Sequence, residues 1–461
     1  MLNDNTKEIR LNDNNVLKLL LRLAIPAIVA QFVSALYNVV DRAFVGRGVG
    51  AEALGGVQVT FPYILISLAF VQLIAVGSAT HFSINLGKDK KSRSELYMMN
   101  GLFMLVVSAL FVSTVGLFLI DPILIGFGAT AKNFQFAKDY LTIIIIGFVF
   151  SSISVGMNNF IRAEGNAYYA MFSIVTGAVL NILLNPLFIF GLKWGVKGVA
   201  VATIISQSCS AFLVMSYFIK NKNSLFRLRF KFSFLNVNIM KNIVTTGFSA
   251  FAFQIITSGF FIFLNNFVKN IGGNDAFISM GIIISIMYII LMPLFGINQS
   301  VNPIVGYNYG ARNYKRVKKT LKYAIFMATA IVMAGYVFTF VFARQTVMLF
   351  VKDNAGVVEF ATSAMRIFLF FLPLLGFQII SANFFQAIGK SKHALLLNMS
   401  RQIFIILPAI IIIPIFTDWG IKGVLYAGPV SDLFASALTA LFLSMEIKKI
   451  NALDAASGTG N

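Results

Sequence analysis

Trp194-Gly195-Val196-Lys197-Gly198-Val199 and Trp419-Gly420-Ile421-Lys422-Gly423-Val424 contain the only two tryptophans of the chain, 225 residues apart. Upstream the offset is 223 residues for Gln31 and Gln254, Gly50 and Gly273, Asn85 and Asn308, Gly87 and Gly310, and Arg93 and Arg316. It is 224 for Asn159-Phe160 with Asn383-Phe384, Gly165 with Gly389, and Ala170 with Ala394. An offset that grows one residue at a time over most of the chain reads as an internal duplication.

A mean hydropathy of +0.83, with 58% hydrophobic and 12% charged residues, excludes an ordinary soluble globule. Apolar runs of about 20 residues, the length of helix that crosses a ~30 Å hydrocarbon layer, fall near 16–41, 53–84, 96–120, 136–160, 168–190, 196–220, 242–268, 276–305, 322–345, 358–388, 393–416 and 421–446. The expected fold is an all-α integral membrane protein of twelve transmembrane helices. Six spans per copy return the second copy to the side where the first began, so the two six-helix lobes are parallel repeats related by a pseudo-twofold axis along the membrane normal, around a central cleft. The predicted organisation is an N-tail over 1–15, an N-lobe over 16–220, a linker over 221–240 with Arg227, Arg229 and Lys231, a C-lobe over 241–447 and a C-tail over 448–461. Its last seven residues, from Ala455, read as flexible.

The net charge of +20 invites a nucleic-acid reading, which the placement of the charges argues against. Of the 37 basic residues, 25 fall in the tails and in the loops on the same side as the tails. That bias predicts a multi-pass plasma (inner) membrane protein with both termini in the cytoplasm, its basic clusters touching lipid and no nucleic acid. Residues 1–15 lack the apolar core of a secretory signal, so the first span directs insertion. Cys209 is single and forms no intramolecular disulfide.

Two acids read as deep. Asp41 ends the first run, about 28 Å along the helix from Arg22, and Asp432 sits in the middle of the twelfth. A carboxylate out of water is costly, so it faces protein or water and suits a group that binds and releases a proton. Asp41 is read as functional against an alternative in which it pairs with Arg42 or Arg47. For Asp432 the alternative is a structural pair with Arg401. Tyr140, Asn158, Asn159, Asn181, Asn185, Thr203 and Gln207 offer polar groups on spans four to six. Asn181 and Asn185 are four apart and share a helix face, and Pro186 follows them. Pro26, Pro62, Pro293, Pro373 and Pro408 interrupt other spans, Pro26 fifteen residues before Asp41.

Tyr37-Asn38-Val39-Val40-Asp41 with Phe44-Val45-Gly46, Ile161-Arg162-Ala163-Glu164-Gly165-Asn166, Asn181 to Phe190 leading into Gly195 to Gln207, and Pro303 to Ala311, taken in this order, resemble the multidrug and toxic compound extrusion (MATE) transporters over nearly the whole chain. The resemblance implies antiport of organic cations or amphiphiles, coupled to protons or sodium. It assigns the coupling site to Asp41, Tyr140, Asn181 and Thr203. Asn185 is a departure, because many relatives carry aspartate before that proline; one carboxylate then remains and the coupling ion stays open. Tyr37 and Asn158 match positions lining the same lobe's cavity, and Gln31 and Gln254 are further cavity candidates. Span seven, with Gln254, Asn265 and Asn266, lacks the acid that other relatives carry there. Beyond the coupling ion no cofactor is expected, nor a metal other than sodium at Asp41, and one chain holding both lobes predicts a monomer.

Competing readings are a flippase for lipid-linked precursors, which would need several basic residues in the cleft where Arg366 and Arg401 stand alone; a passive channel; and a membrane-embedded enzyme. No paired acids or nucleophile with a base argue for the last. Gly48 to Ala53 fits a dinucleotide glycine pattern but joins two membrane helices, His81 and His393 lie in different lobes, and there is no Walker A sequence.

Overall fold

In hydrocarbon each backbone polar group must be satisfied within its own segment, so apolar runs of this length become helices. The computed structural model describes residues 11, 13, 15–220, 224–226, 234–351, 354–417 and 419–458, and among these there is no strand. The spans are α1 (Val16–Gly48), α2 (Ala51–Gly87), α3 (Lys91–Phe118), α4 (Phe134–Ala163), α5 (Ala167–Gly191), α6 (Gly195–Ile219), α7 (Val237–Phe261), α8 (Phe267–Gly310), α9 (Tyr314–Val341), α10, α11 (Ser391–Thr417) and α12 (Ile421–Ala456). The tenth is a bent pair, Ala355–Phe368 and Leu372–Ala387, at 51° to each other. Pro373, in the first turn of its second segment, cannot donate back across the break.

Two predicted boundaries move. Asn236 accepts from the amides of Asn238 and Ile239 and starts α7 at Val237, so the end of the predicted linker is helical. Arg227, Arg229 and Lys231 lie outside the described residues. At the other end α12 continues as helix to Gly458, through most of the stretch read as a flexible tail.

The duplication is written in the turns as well as in the letters. Backbone φ is positive at Gly50 (126°) and Gly273 (70°), at Asp89 (55°) and Arg312 (58°), at Gly165 (85°) and Gly389 (78°), and at Gly195 (56°) and Gly420 (53°). Each pair keeps the sequence offset. Gly273, inside the stretch given as α8, is where the helical run Val237–Gly310 is kinked, and there the missing Cβ is what makes the reversal tolerable.

The lobes meet backbone to backbone. A methyl group on Gly87 would strike the carbonyl of Tyr307, and one on Gly310 the carbonyl of Ile84. Gly77 lies against Ile243, Gly247 against Leu73 and Gly296 against Ile28. All five contacts fall in the helix halves nearer the chain termini. At that end Arg316 donates to the carbonyls of Leu11 (3.2 Å) and Asp13 (2.7 Å). The chain is thus a multi-pass membrane protein of twelve helices in two lobes, sealed together on one side.

Candidate functional site

Asp41 stands two turns before the end of α1 and is only 8% exposed. Its Oδ1 accepts from Nδ2 of Asn185 on α5 at 2.8 Å. The same Asn185 nitrogen donates to Oδ1 of Asn181 at 3.0 Å, the four-residue spacing placing both amides on one face. Asn181 in turn donates to the Thr203 hydroxyl of α6 at 3.2 Å, and Thr203 donates to the Val199 carbonyl at 3.0 Å. Three helices are thereby tied through one polar thread. Tyr37, one turn before Asp41, and the buried Tyr140 of α4 both lie within electrostatic reach of the carboxylate.

No ion pair to Asp41 forms among the described residues. Arg42 instead stacks over the Phe61 ring, 5.2 Å from its centroid. The carboxylate is hydrogen-bonded by the neutral Asn185 amide, with the Arg42 guanidinium acting on it only at a distance. Beside it Oδ1 of Asn185 is buried without a hydrogen-bond partner. A negative group and an unused carbonyl oxygen in a dry site make an all-oxygen donor set, which fits a proton or a hard cation such as sodium.

The other candidates separate from this thread. Asn158 is 1% exposed and sits between α4 and α5, donating to the Ala170 carbonyl (3.0 Å) and the Ser173 hydroxyl (2.8 Å) and accepting from Arg162. It ties α4 to α5 and shares no hydrogen bond with the Asp41 thread. Gln31 and Gln254 are half-buried on α1 and α7 and share no hydrogen bond with the Asp41 thread. The side chains of Asn265 and Asn266 lie outside the described residues. Asp432 accepts from Arg401 Nε at 2.7 Å, so this acid does have a cationic partner.

Two further buried acids escaped the reading of the sequence, because Glu446 falls at the end of the twelfth apolar run and Glu164 in a turn, where solvent is the default. Glu446 is paired with Lys390 at 2.5 Å. Glu164, 3% exposed in the turn after α4, accepts from the Tyr217 hydroxyl (2.8 Å), the Ser224 hydroxyl (3.1 and 3.2 Å) and the Leu225 amide (3.4 Å). Burial pushes its pKa up to about 7, and these hydrogen bonds only partly offset that. The neighbouring Phe226 packs edge-on against Phe82 at 5.1 Å, docking the inter-lobe segment on the N-lobe.

This architecture has known counterparts. The MatE family profile matches residues 26–187 and 250–411, one block in each lobe. The multidrug export protein MepA of Staphylococcus aureus (strain MRSA252) is 26% identical over 430 residues, covering 92% of either chain. MepA of Staphylococcus haemolyticus (strain JCSC1435) is 24% identical over 445 residues, covering 96% of this chain and 97% of the relative. Among solved structures, the outward-facing conformation of a multidrug resistance MATE family transporter of the MOP superfamily superposes with a TM-score of 0.90 at 26% identity, over 97% of this chain and 99% of the other. A matched block in each half, on a fold shared almost end to end, leaves one assignment: the chain belongs to the MatE family of MATE transporters.

Proposed function

We propose that this protein is a secondary active multidrug exporter, moving amphiphilic or cationic small molecules outward across the plasma membrane in exchange for protons or sodium, with Asp41 as the coupling group. The observation that carries this reading is the buried carboxylate of Asp41, met by the Asn185 amide and by no ion pair among the described residues. An ionised group so placed costs several kcal/mol unless a proton or a metal ion joins it. Occupancy of the site therefore changes which packing of α1 against α5 is favoured. Tyr37, Tyr140, Asn181 and Thr203 position the acid and its amides; Gln31 and Gln254 stand on the helices that face the cleft.

The seal at the terminal end supports an alternating-access cycle in which the lobes rock about that joint. The bias of basic residues supports placing this end in the cytoplasm, so that the sealed state is the outward-facing one. The energetics set limits. One pH unit is worth about 1.4 kcal/mol per proton and 100 mV about 2.3 kcal/mol per charge. Exchange of one proton for one monovalent cation cancels the voltage term and sustains about a tenfold gradient per pH unit.

Reconstitution in liposomes with an imposed pH or sodium gradient, read with a fluorescent organic cation, tests the proposal. Asp41→Asn is expected to abolish uphill efflux while the protein still folds. Full uphill efflux by that variant rejects the assignment.

A further inference from the structure

The duplicated backbone allows each lobe to serve as the control for the other. At the repeat offsets, Asp41 corresponds to Leu264, Asn181 to Ile405, Asn185 to Ala409 and Thr203 to Gly428, so the polar thread of the N-lobe is erased in the C-lobe. The reverse holds one turn nearer the terminal end. Arg401 and Asp432 of the C-lobe correspond to Gly177 and Gln207 of the N-lobe. The N-lobe packs the same two helices with a glycine against Ser210, so the helix contact itself does not require a charged pair.

Arg401 is shaped for more than that contact. It lies in a π-helical turn, Ser400–Ile406 of α11, an irregularity that re-aims side chains and is frequent at functional sites. Its Nε donates to Asp432 Oδ1 of α12 at 2.7 Å, and the adjacent Gln402 accepts from Thr257 of α7 at 2.9 Å. On α8 the Tyr288 ring is within the electrostatic reach of the guanidinium. The Arg401 side chain thus reaches from α11 to α12 and to within the electrostatic range of α8. Asp432 is 3% exposed against 16% for Arg401, so the guanidinium is the more open member of the pair. Among the described residues neither η nitrogen has a hydrogen-bond partner, and neither is fully enclosed. Their edge is a planar fork of N–H donors, the geometry that takes an oxyanion in two parallel hydrogen bonds.

We infer that the C-lobe holds a second ligand subsite, in which Arg401, positioned by Asp432, receives the oxyanion of an acidic or zwitterionic amphiphile. This rests on the transport reading and widens its substrate class beyond organic cations. The oxyanion is either the carboxylate of a transported molecule or the phosphate of a lipid headgroup, and both present the same pair of acceptor oxygens.

Equilibrium binding, with no gradient applied, separates this idea from the coupling role of Asp41. The purified protein in phosphatidylcholine nanodiscs is titrated with fluorescent dansylaminoundecanoic acid and with its methyl ester. The acid is expected to bind about tenfold or more tighter than the ester, the difference expected for charge-assisted hydrogen bonds. Arg401→Gln combined with Asp432→Asn, which leaves no charge unpaired, removes that preference, and Arg401→Lys retains only part of it. Displacement of the acid by phosphatidylglycerol in the nanodisc, abolished in the double variant, assigns the oxyanion to lipid; no displacement assigns it to the transported amphiphile. Equal binding of acid and ester by the native protein, or an acid preference that survives in a folded double variant, overturns the subsite.

Discussion

Asn185 Nδ2 lies 2.8 Å from Asp41 Oδ1 and 3.0 Å from Asn181 Oδ1, so one amide group holds the carboxylate of α1 to the amide ladder of α5. Removing it strands an acceptor in a dry site. Asn185→Ala should cost about 1–3 kcal/mol of stability when Asp41 is ionised and much less when it is protonated. Thermal unfolding of both proteins in detergent, at acidic and at alkaline pH, measures this. An equal loss at the two extremes would mean that the amide does not serve the charged acid.

Glu164 sets a pH dependence of the opposite kind to that of a salt-bridged acid. Its pKa is raised from the usual 4.5 to about 7 in the folded chain. The folded state therefore holds the proton more tightly than the unfolded one. The resulting stabilisation is fully present below about pH 4.5 and is lost as pH rises through about 7. Glu164→Gln keeps a neutral polar group there, so the variant should gain on the native protein as pH rises from 5 to 8, by on the order of 3 kcal/mol at most. Parallel unfolding curves across that range would contradict the burial argument.

The lobe joint depends on the absence of side chains at Gly87 and Gly310. Gly87→Val drives a branched side chain into the Tyr307 carbonyl and should part the lobes at the terminal end without unfolding either. A cysteine in place of Ser83, which packs beneath Gly306 of the opposite lobe, reports this in a Cys209→Ser background. Maleimide labelling should be slow with Gly87 and fast with valine. Slow labelling in both would show that the contact tolerates the change.

Much of the architecture was legible because it repeats. Twelve apolar runs and the drifting offset between Trp194 and Trp419 carry the fold, and the Asn181 to Asn185 spacing carries half of the site. The rest depended on which face of a helix turns inward. Asn158 has the composition of a cavity residue, yet its amide is consumed by Ala170 and Ser173. Glu164 sits where a loop acid is ordinarily wet, and only the return of residues 224–226 across it makes it dry. Arg42 makes no ion pair with Asp41 and acts on it only at a distance, since a guanidinium can rest on an aromatic face such as Phe61 as well as on a carboxylate.

Where Gly87 and Gly310 cross, the touching surfaces are peptide planes whose amides and carbonyls belong to their own helices. Among the described residues no hydrogen bond passes between the two helices at the crossing itself; the polar ties of this end, His81 to Thr246 at 2.9 Å and Arg316 to the carbonyls of Leu11 and Asp13, lie to either side of it. The crossing itself therefore holds by van der Waals attraction alone, a bearing whose fit is lost as soon as a side chain at its centre forces the two backbones apart.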